Sequence, residues 1–345
     1  MPRIVTPLTK LLNIDAPIVQ APMGFGGRGE LTNAVTKAGI FGFIGAEFRT
    51  AQDIKGDFNL VRRTFNLKDD DPVPVGVGLI GWILDITEAS DDPRLHAILE
   101  EKPAAIWFAF GVDLAKYVEQ VRLYDSKREH KTLIFVVVSS VENALRAAQK
   151  WKVDVIVVQG IEAGGHGSSE SPPLLTILQA VVRALPSGPP IVAAGGVSTG
   201  SQIAAMLTIG AAGVAVGTRF LFTHESAYTG DQKEALIKAS LVNSTTRTLA
   251  FDEVGRTNGW PPKHDGRAIR NDIIKDVEDG LDFETRLKRY DESKDAGDTS
   301  RLISWAGVGV GLTNALDSAE NVVRELQEET VLALQRNSTL LSPGN

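Results

Sequence analysis

The densest run of hydrogen-bonding and titratable residues in this chain is Gln159-Gly160-Ile161-Glu162-Ala163-Gly164-Gly165-His166-Gly167. A glutamine both gives and takes hydrogen bonds, so Gln159 suits the polar edge of a flat ligand, and Gly164 and Gly165 let backbone approach its face. His166 is the candidate catalytic base, because a histidine near neutral pKa can accept a proton or steady an anion. The competing reading is a solvated histidine on a flexible loop. Glu162 either orients a cation or caps a turn. Two more glycine loops, Ala194-Gly195-Gly196-Val197-Ser198 and Val216-Gly217-Thr218-Arg219, suit a phosphate. Gly195, Gly196 and Gly217 would present backbone N–H groups, and a short helix from Thr218 would aim its positive end at the anion. Either loop alone is a tight turn; two in succession make a cradle.

Gln20-Ala21-Pro22-Met23-Gly24 would sit at another strand mouth, where Ala21, Pro22, Met23 and Gly24 would border a cofactor, although a methionine there also serves as core. Gly76-Val77-Gly78-Leu79-Ile80-Gly81 matches a dinucleotide fingerprint. That reading needs a helix opening at the third glycine and an acidic residue about twenty positions on. Trp82 leads instead toward the turn-rich Ser90-Asp91-Asp92-Pro93, so Gly78 is read as the end of a strand lying near a ring or substrate. His96, His130 and His264 lie among charged or turn residues and receive no role. His224, beside Phe220-Leu221-Phe222, is read as structural.

Positioning such loops requires repeated strand-helix units. Eight short apolar runs read as strands: Ile18 to Ala21, Gly42 to Ala46, Val73 to Leu79, Ala105 to Phe110, Leu133 to Val138, Val155 to Gln159, Ile191 to Ala194 and Gly213 to Gly217. Most are apolar on both faces, as in a buried parallel sheet. Amphipathic helices at 141–150, 174–185 and 201–209 are short enough to cross back to the next parallel strand. The pattern predicts an α/β fold, a (β/α)₈ TIM barrel with an inserted or C-terminal helical subdomain. The expected division is a barrel core over 1–222, a charge-rich helical insertion over 223–304, and a glycine loop with a closing helix over 305–345. Loops after the seventh and eighth strands of such barrels commonly hold phosphate.

The chain has 345 residues, 43% of them hydrophobic, enough for a sizeable core. A net charge of -7 without a long basic run argues against nucleic acid. No cysteine is present, which excludes disulfides and cysteine-ligated metal; no metal site is expected. No apolar run is long enough to span a bilayer, so a soluble, cytoplasmic protein is expected, with oligomerisation compatible.

Together these segments resemble the nitronate monooxygenase family, formerly the 2-nitropropane dioxygenases. The resemblance is carried by Gln20-Ala21-Pro22-Met23, by 159–166, 193–197 and 213–220, and by Asp265-Gly266-Arg267-Ala268-Ile269-Arg270-Asn271 and Trp305-Ala306-Gly307-Val308-Gly309. The glutamate-alanine-glycine-glycine-histidine run belongs to a superfamily that also holds FMN-dependent enoyl and quinone reductases. The resemblance implies FMN across the strand mouths, with its phosphate at Gly195, Gly196, Gly217 and Thr218, further contacts at Ala306 and Gly307, and His166 as base. It implies oxidation of alkyl nitronates or nitroalkanes by O2 to a carbonyl compound and nitrite. The alternative is an NAD(P)H-driven FMN reductase acting on a quinone or an enoyl thioester. Val308 departs from the polar residue the family often has.

Overall fold

The computed structural model describes residues 3–338 and residue 340. Its strands are β1 (Ile18–Gln20), β2 (Phe41–Gly45), β3 (Val73–Ile80), β4 (Pro103–Ala109), β5 (Leu133–Val138), β6 (Val155–Gln159), β7 (Gly165–Ser168), β8 (Ile191–Ala194), β9 (Gly213–Val216), β10 (Thr245–Thr248) and β11 (His264–Ile269). Eight of them close a parallel barrel in the order β1-β2-β3-β4-β5-β6-β8-β9. These are the eight expected strands, with ends shifted by a few residues.

Each barrel strand alternates between two apolar layers. Val19, Phe43, Trp107, Phe135, Val157 and Val192 fill the lumen, while Ile18, Ile44, Ile106, Ile134, Ile156 and Val214 face the helices. Such a double burial is why the strands read as unbroken apolar runs. Phe43 meets Phe41, Trp107 and Phe135 edge-on at 5.0–5.2 Å between centroids, and truncating so buried a ring to alanine costs about 3–5 kcal/mol. The helix Pro7–Leu12 closes the floor through Leu8.

The same packing explains the glycines that imitate a dinucleotide motif. A Cβ on Gly76 would lie 2.3 Å from the Phe43 ring, and one on Gly78 2.2 Å from Pro22. They make room inside the barrel. A helix does open at the third glycine, Gly81–Thr87, contrary to the expectation from Trp82. There a Cβ would strike Leu114 and Gly111, so close packing again sets the residue.

The segment between the barrel's last strand and its closing helix carries the expected helices, among them Gly230–Lys238, Asp272–Glu278 and Phe283–Asp295. It also contains β10 and β11, which its charged texture did not announce. With β7 they form an antiparallel sheet in the order β10-β11-β7. The helix Ala319–Ser338 then packs on Gly200–Ile209, where Gly200 gives its N–H to Glu329 at 2.7 Å. Among the described residues no helix is long and apolar enough to cross a membrane.

Candidate active site

A large cleft opens at the C-terminal ends of the barrel strands, with about 1320 Å³ of empty space that includes open solvent. It takes in His166 and thirteen of the fourteen residues expected around a cofactor: Ala21, Pro22, Met23, Gly24, Gly78, Gln159, Gly164, Gly165, Gly195, Gly196, Gly217, Thr218 and Gly307. Ala306 is the exception. It is buried behind the cleft with Leu221, Phe222, Tyr228 and Val310.

At the phosphate-like loops, Gly195 and Gly196 have φ of +113° and +72°, a region that side chains disfavour. Their N–H groups find no backbone partner among the described residues. Thr218 opens a short helix, Thr218–Leu221, and its hydroxyl accepts the Gly307 N–H at 2.9 Å. Val308 donates its N–H to the Glu162 carbonyl at 3.1 Å. Three stretches far apart in sequence therefore converge on one corner. Glu162 resolves as a cap: its carboxylate accepts the Leu174 N–H at the start of Leu174–Ala184.

His166 is not on a flexible loop. It lies in β7, paired with Gly266 of β11, and a Cβ on Gly266 would come within 2.9 Å of its Nε2. Arg247 fixes this strand from behind, donating to the Gly167 carbonyl at 2.9 Å and pairing with Asp265 at 2.6 Å. Arg267 donates to the Ile161 carbonyl at 3.1 Å. The imidazole Nε2 meets both carboxylate oxygens of Asp252 at 2.9 and 3.0 Å. Asp252 is fully buried and also accepts hydrogen bonds from Thr257 (2.8 Å) and the Trp260 indole (3.0 Å). Trp260 stacks on the imidazole with centroids 3.5 Å apart and planes 5° from parallel, and Trp305 lies tilted at 4.6 Å.

Burial pushes the His166 pKa below the usual histidine value, with the Asp252 carboxylate pulling the other way. The ring is then neutral at pH 7, Nε2 carries the proton that Asp252 accepts, and Nδ1 keeps its lone pair. That is a base with a fixed tautomer.

Sequence reading missed Asp252, Trp260, Glu47 and Tyr228. Asp252 stands 86 positions from His166, amid other acidic residues, and spacing alone gives no signal for it. Glu47, at the exit of β2, lines the cleft, and burial raises its pKa to about 7. Tyr228 lines it too; its hydroxyl donates to the Trp305 carbonyl at 2.9 Å, and burial raises its pKa. Three of the remaining histidines stay away from the cleft wall, whereas the His264 ring packs edge-on at 5.7 Å against Phe110, which lines it. His96 pairs with Glu100, His130 contacts the Pro103 carbonyl, and His224 is exposed, with its backbone N–H bonded to Asp317.

A sequence model described as nitronate monooxygenase matches residues 5–329. The chain belongs to that family. It is an oxidoreductase, and the matched span takes in both the glycine-histidine segment and the phosphate-like loops. Among relatives, it is 32% identical to the nitronate monooxygenase npaC of Metarhizium robertsii, over 90% of each chain. Its fold matches FabK from Thermotoga maritima with a TM-score of 0.78 at 25% identity, covering 98% of this chain and 100% of that one. It also matches a nitroalkane oxidase from Streptomyces ansochromogenes with a TM-score of 0.74 at 28% identity, covering 97% and 100%.

Proposed function

We propose that this protein oxidises alkyl nitronates, and nitroalkanes once His166 has removed their α-proton, with FMN in the cleft and O2 as acceptor, yielding a carbonyl compound and nitrite. The observation that carries the reading is the neutral, Asp252-held imidazole facing a cleft whose other end is a cradle of unengaged backbone N–H groups. Membership of the nitronate monooxygenase family supports this reading.

The residues present fit FMN. Gly195, Gly196, Gly217 and the start of Thr218–Leu221 would hold its phosphate, and Ala21, Pro22, Met23, Gly78 and Gln159 would border the ring system. Bound FMN supplies the capacity to take electrons from the substrate and pass them to O2. The chain orients the substrate, excludes water with the aromatic cover of Trp260 and Trp305, and takes the α-proton at Nδ1 of His166. The one phosphate cradle favours FMN over FAD.

Oxygen uptake and nitrite release with a panel of nitronates and nitroalkanes, without nicotinamide, test the reaction. Uptake with nitronates supports it, whereas rapid anaerobic bleaching of the flavin by NADH and no uptake point to a reductase instead. The cradle has its own test at Gly217, where φ is -106° and an added Cβ would meet only side chains at 3.6 Å or more. Gly217→Val should fold and lose most of its flavin, read by absorbance per protein. Gly195 serves less well: its φ of +113° and a backbone oxygen 3.1 Å from an added Cβ would strain the fold itself.

A further inference from the structure

Opposite the histidine, the cleft wall at the exit of β2 carries a carboxyl group that the chemistry above does not use. Glu47 Oε1 accepts the Gly24 N–H at 2.8 Å. Oε2 has no hydrogen-bond partner among the described residues and lies 1.3 Å from where a Cβ on residue 24 would stand, so a side chain there would displace the carboxyl from this position. Among the described residues no cation pairs with it, and the charge of Arg49 lowers its pKa less than burial raises it. Arg49 of the same loop is committed to Asp57 at 2.5 Å and to the Gly45 and Asp53 carbonyls. Arg94, from the helix Arg94–Glu100, takes the Glu47 backbone carbonyl at 2.6 Å and leaves the side chain alone. Tyr228 is buried and uncharged, with its hydroxyl donating a hydrogen bond to the Trp305 carbonyl. The wall thus holds one carboxyl with a single backbone donor and one free oxygen.

We propose that Glu47 is the anion-holding residue of this site: protonated on Oε2, it donates a hydrogen bond to the negatively charged oxygens of a nitronate or of the nitrite product, and its ionised form repels them. This rests on the nitronate reading. A carboxylic acid kept neutral in a low-dielectric wall donates a strong hydrogen bond to an anion, and its loss of the proton reverses the interaction. Burial raises its pKa to about 7, so the anion-binding form prevails below neutrality and is lost as pH rises through that value. In a neutral nitroalkane the same donor would meet charge as it develops on the nitro group while His166 takes the proton.

The test is equilibrium binding of nitrite to the flavin-loaded protein, followed by flavin difference absorbance from pH 6 to pH 8, alongside infrared titration of the protonated-carboxyl band. If only the protonated form binds, the parent's Kd should weaken about tenfold over that range. Glu47→Gln, which keeps a donor and cannot ionise, should show a flat Kd and no carboxyl band titrating near pH 7. Glu47→Leu should bind weakly at every pH. A Kd in Glu47→Gln that still weakens in parallel with the parent's, or a parent carboxyl band with no titration near neutrality, overturns the proposal. Because nitrite binding needs no turnover, an absence of oxygen uptake with nitronates would refute the reaction while leaving the Glu47 result to stand or fall by itself.

Discussion

The two walls of the cleft present titratable groups held in opposite ways. On the β7 side, the His166 imidazole is gripped by a buried carboxylate and covered by an indole at 3.5 Å. On the β2 side, the Glu47 carboxyl has one backbone N–H at 2.8 Å. Burial acts on both and always against charge, so it lowers the histidine and raises the glutamate. His166 is consequently uncharged at neutral pH and ready to accept a proton, while Glu47 keeps its proton below about pH 7 and can then donate a hydrogen bond. The contrast lies in support. A base must be aimed, which takes a second residue and a stacked ring, whereas an anion holder needs only to remain neutral until the anion arrives.

Removing the base should break the comparison most severely. His166→Asn should lower turnover of neutral nitroalkanes by about 10² to 10⁴, the usual contribution of a positioned proton acceptor, with flavin content near that of the parent. Nitronates, already deprotonated, should lose much less. Equal losses on both substrates would show that the ring only binds.

Asp252→Asn should come next, at about 10- to 100-fold on nitroalkane turnover, because the amide can no longer hold Nε2–H by charge and the tautomer is freed. The pH profile separates this from a structural effect. Asp252 raises the His166 pKa against burial, so its loss should shift the acid limb of kcat/KM to lower pH. An unmoved limb would mean that Asp252 merely supports the fold.

How far these features were legible follows from the range over which each is encoded. The barrel strands are continuous runs such as Leu133–Val138 and Val155–Gln159, and their burial on both faces is written into every residue. The glycine loops announce themselves because backbone geometry at Gly195 and Gly196 demands the residue type. His166 stood out by its glycine neighbours, but its strand did not, since Gly-His-Gly-Ser has no apolar alternation and pairs only because Arg247 and β11 hold it. Asp252 and Glu47 are single polar residues whose meaning comes from packing across the cleft. Ala306 was drawn into the site by its neighbour Gly307, yet its side chain points into the cluster around Tyr228.

The smallest effect sharpens the comparison by working on the same histidine from the other direction. Trp260 covers one face of the His166 ring and gives its indole N–H to Asp252 at 3.0 Å. Trp260→Leu keeps an apolar side chain but removes the flat cover and the donor, admitting water to the imidazole. Stacked aromatic pairs are worth about 0.5–1.5 kcal/mol beyond the area they bury, so turnover at neutral pH should fall only about 2- to 10-fold. The informative quantity is again the acid limb. Water at the ring relieves the desolvation that holds the His166 pKa down, and Asp252, with one fewer donor to serve, keeps its pull on the imidazolium. Both changes favour the protonated ring, so the limb should move up toward the ordinary histidine value, opposite to Asp252→Asn. If both variants shift it the same way, burial and the carboxylate do not oppose each other at this ring, and the contrast between the two walls loses its physical basis.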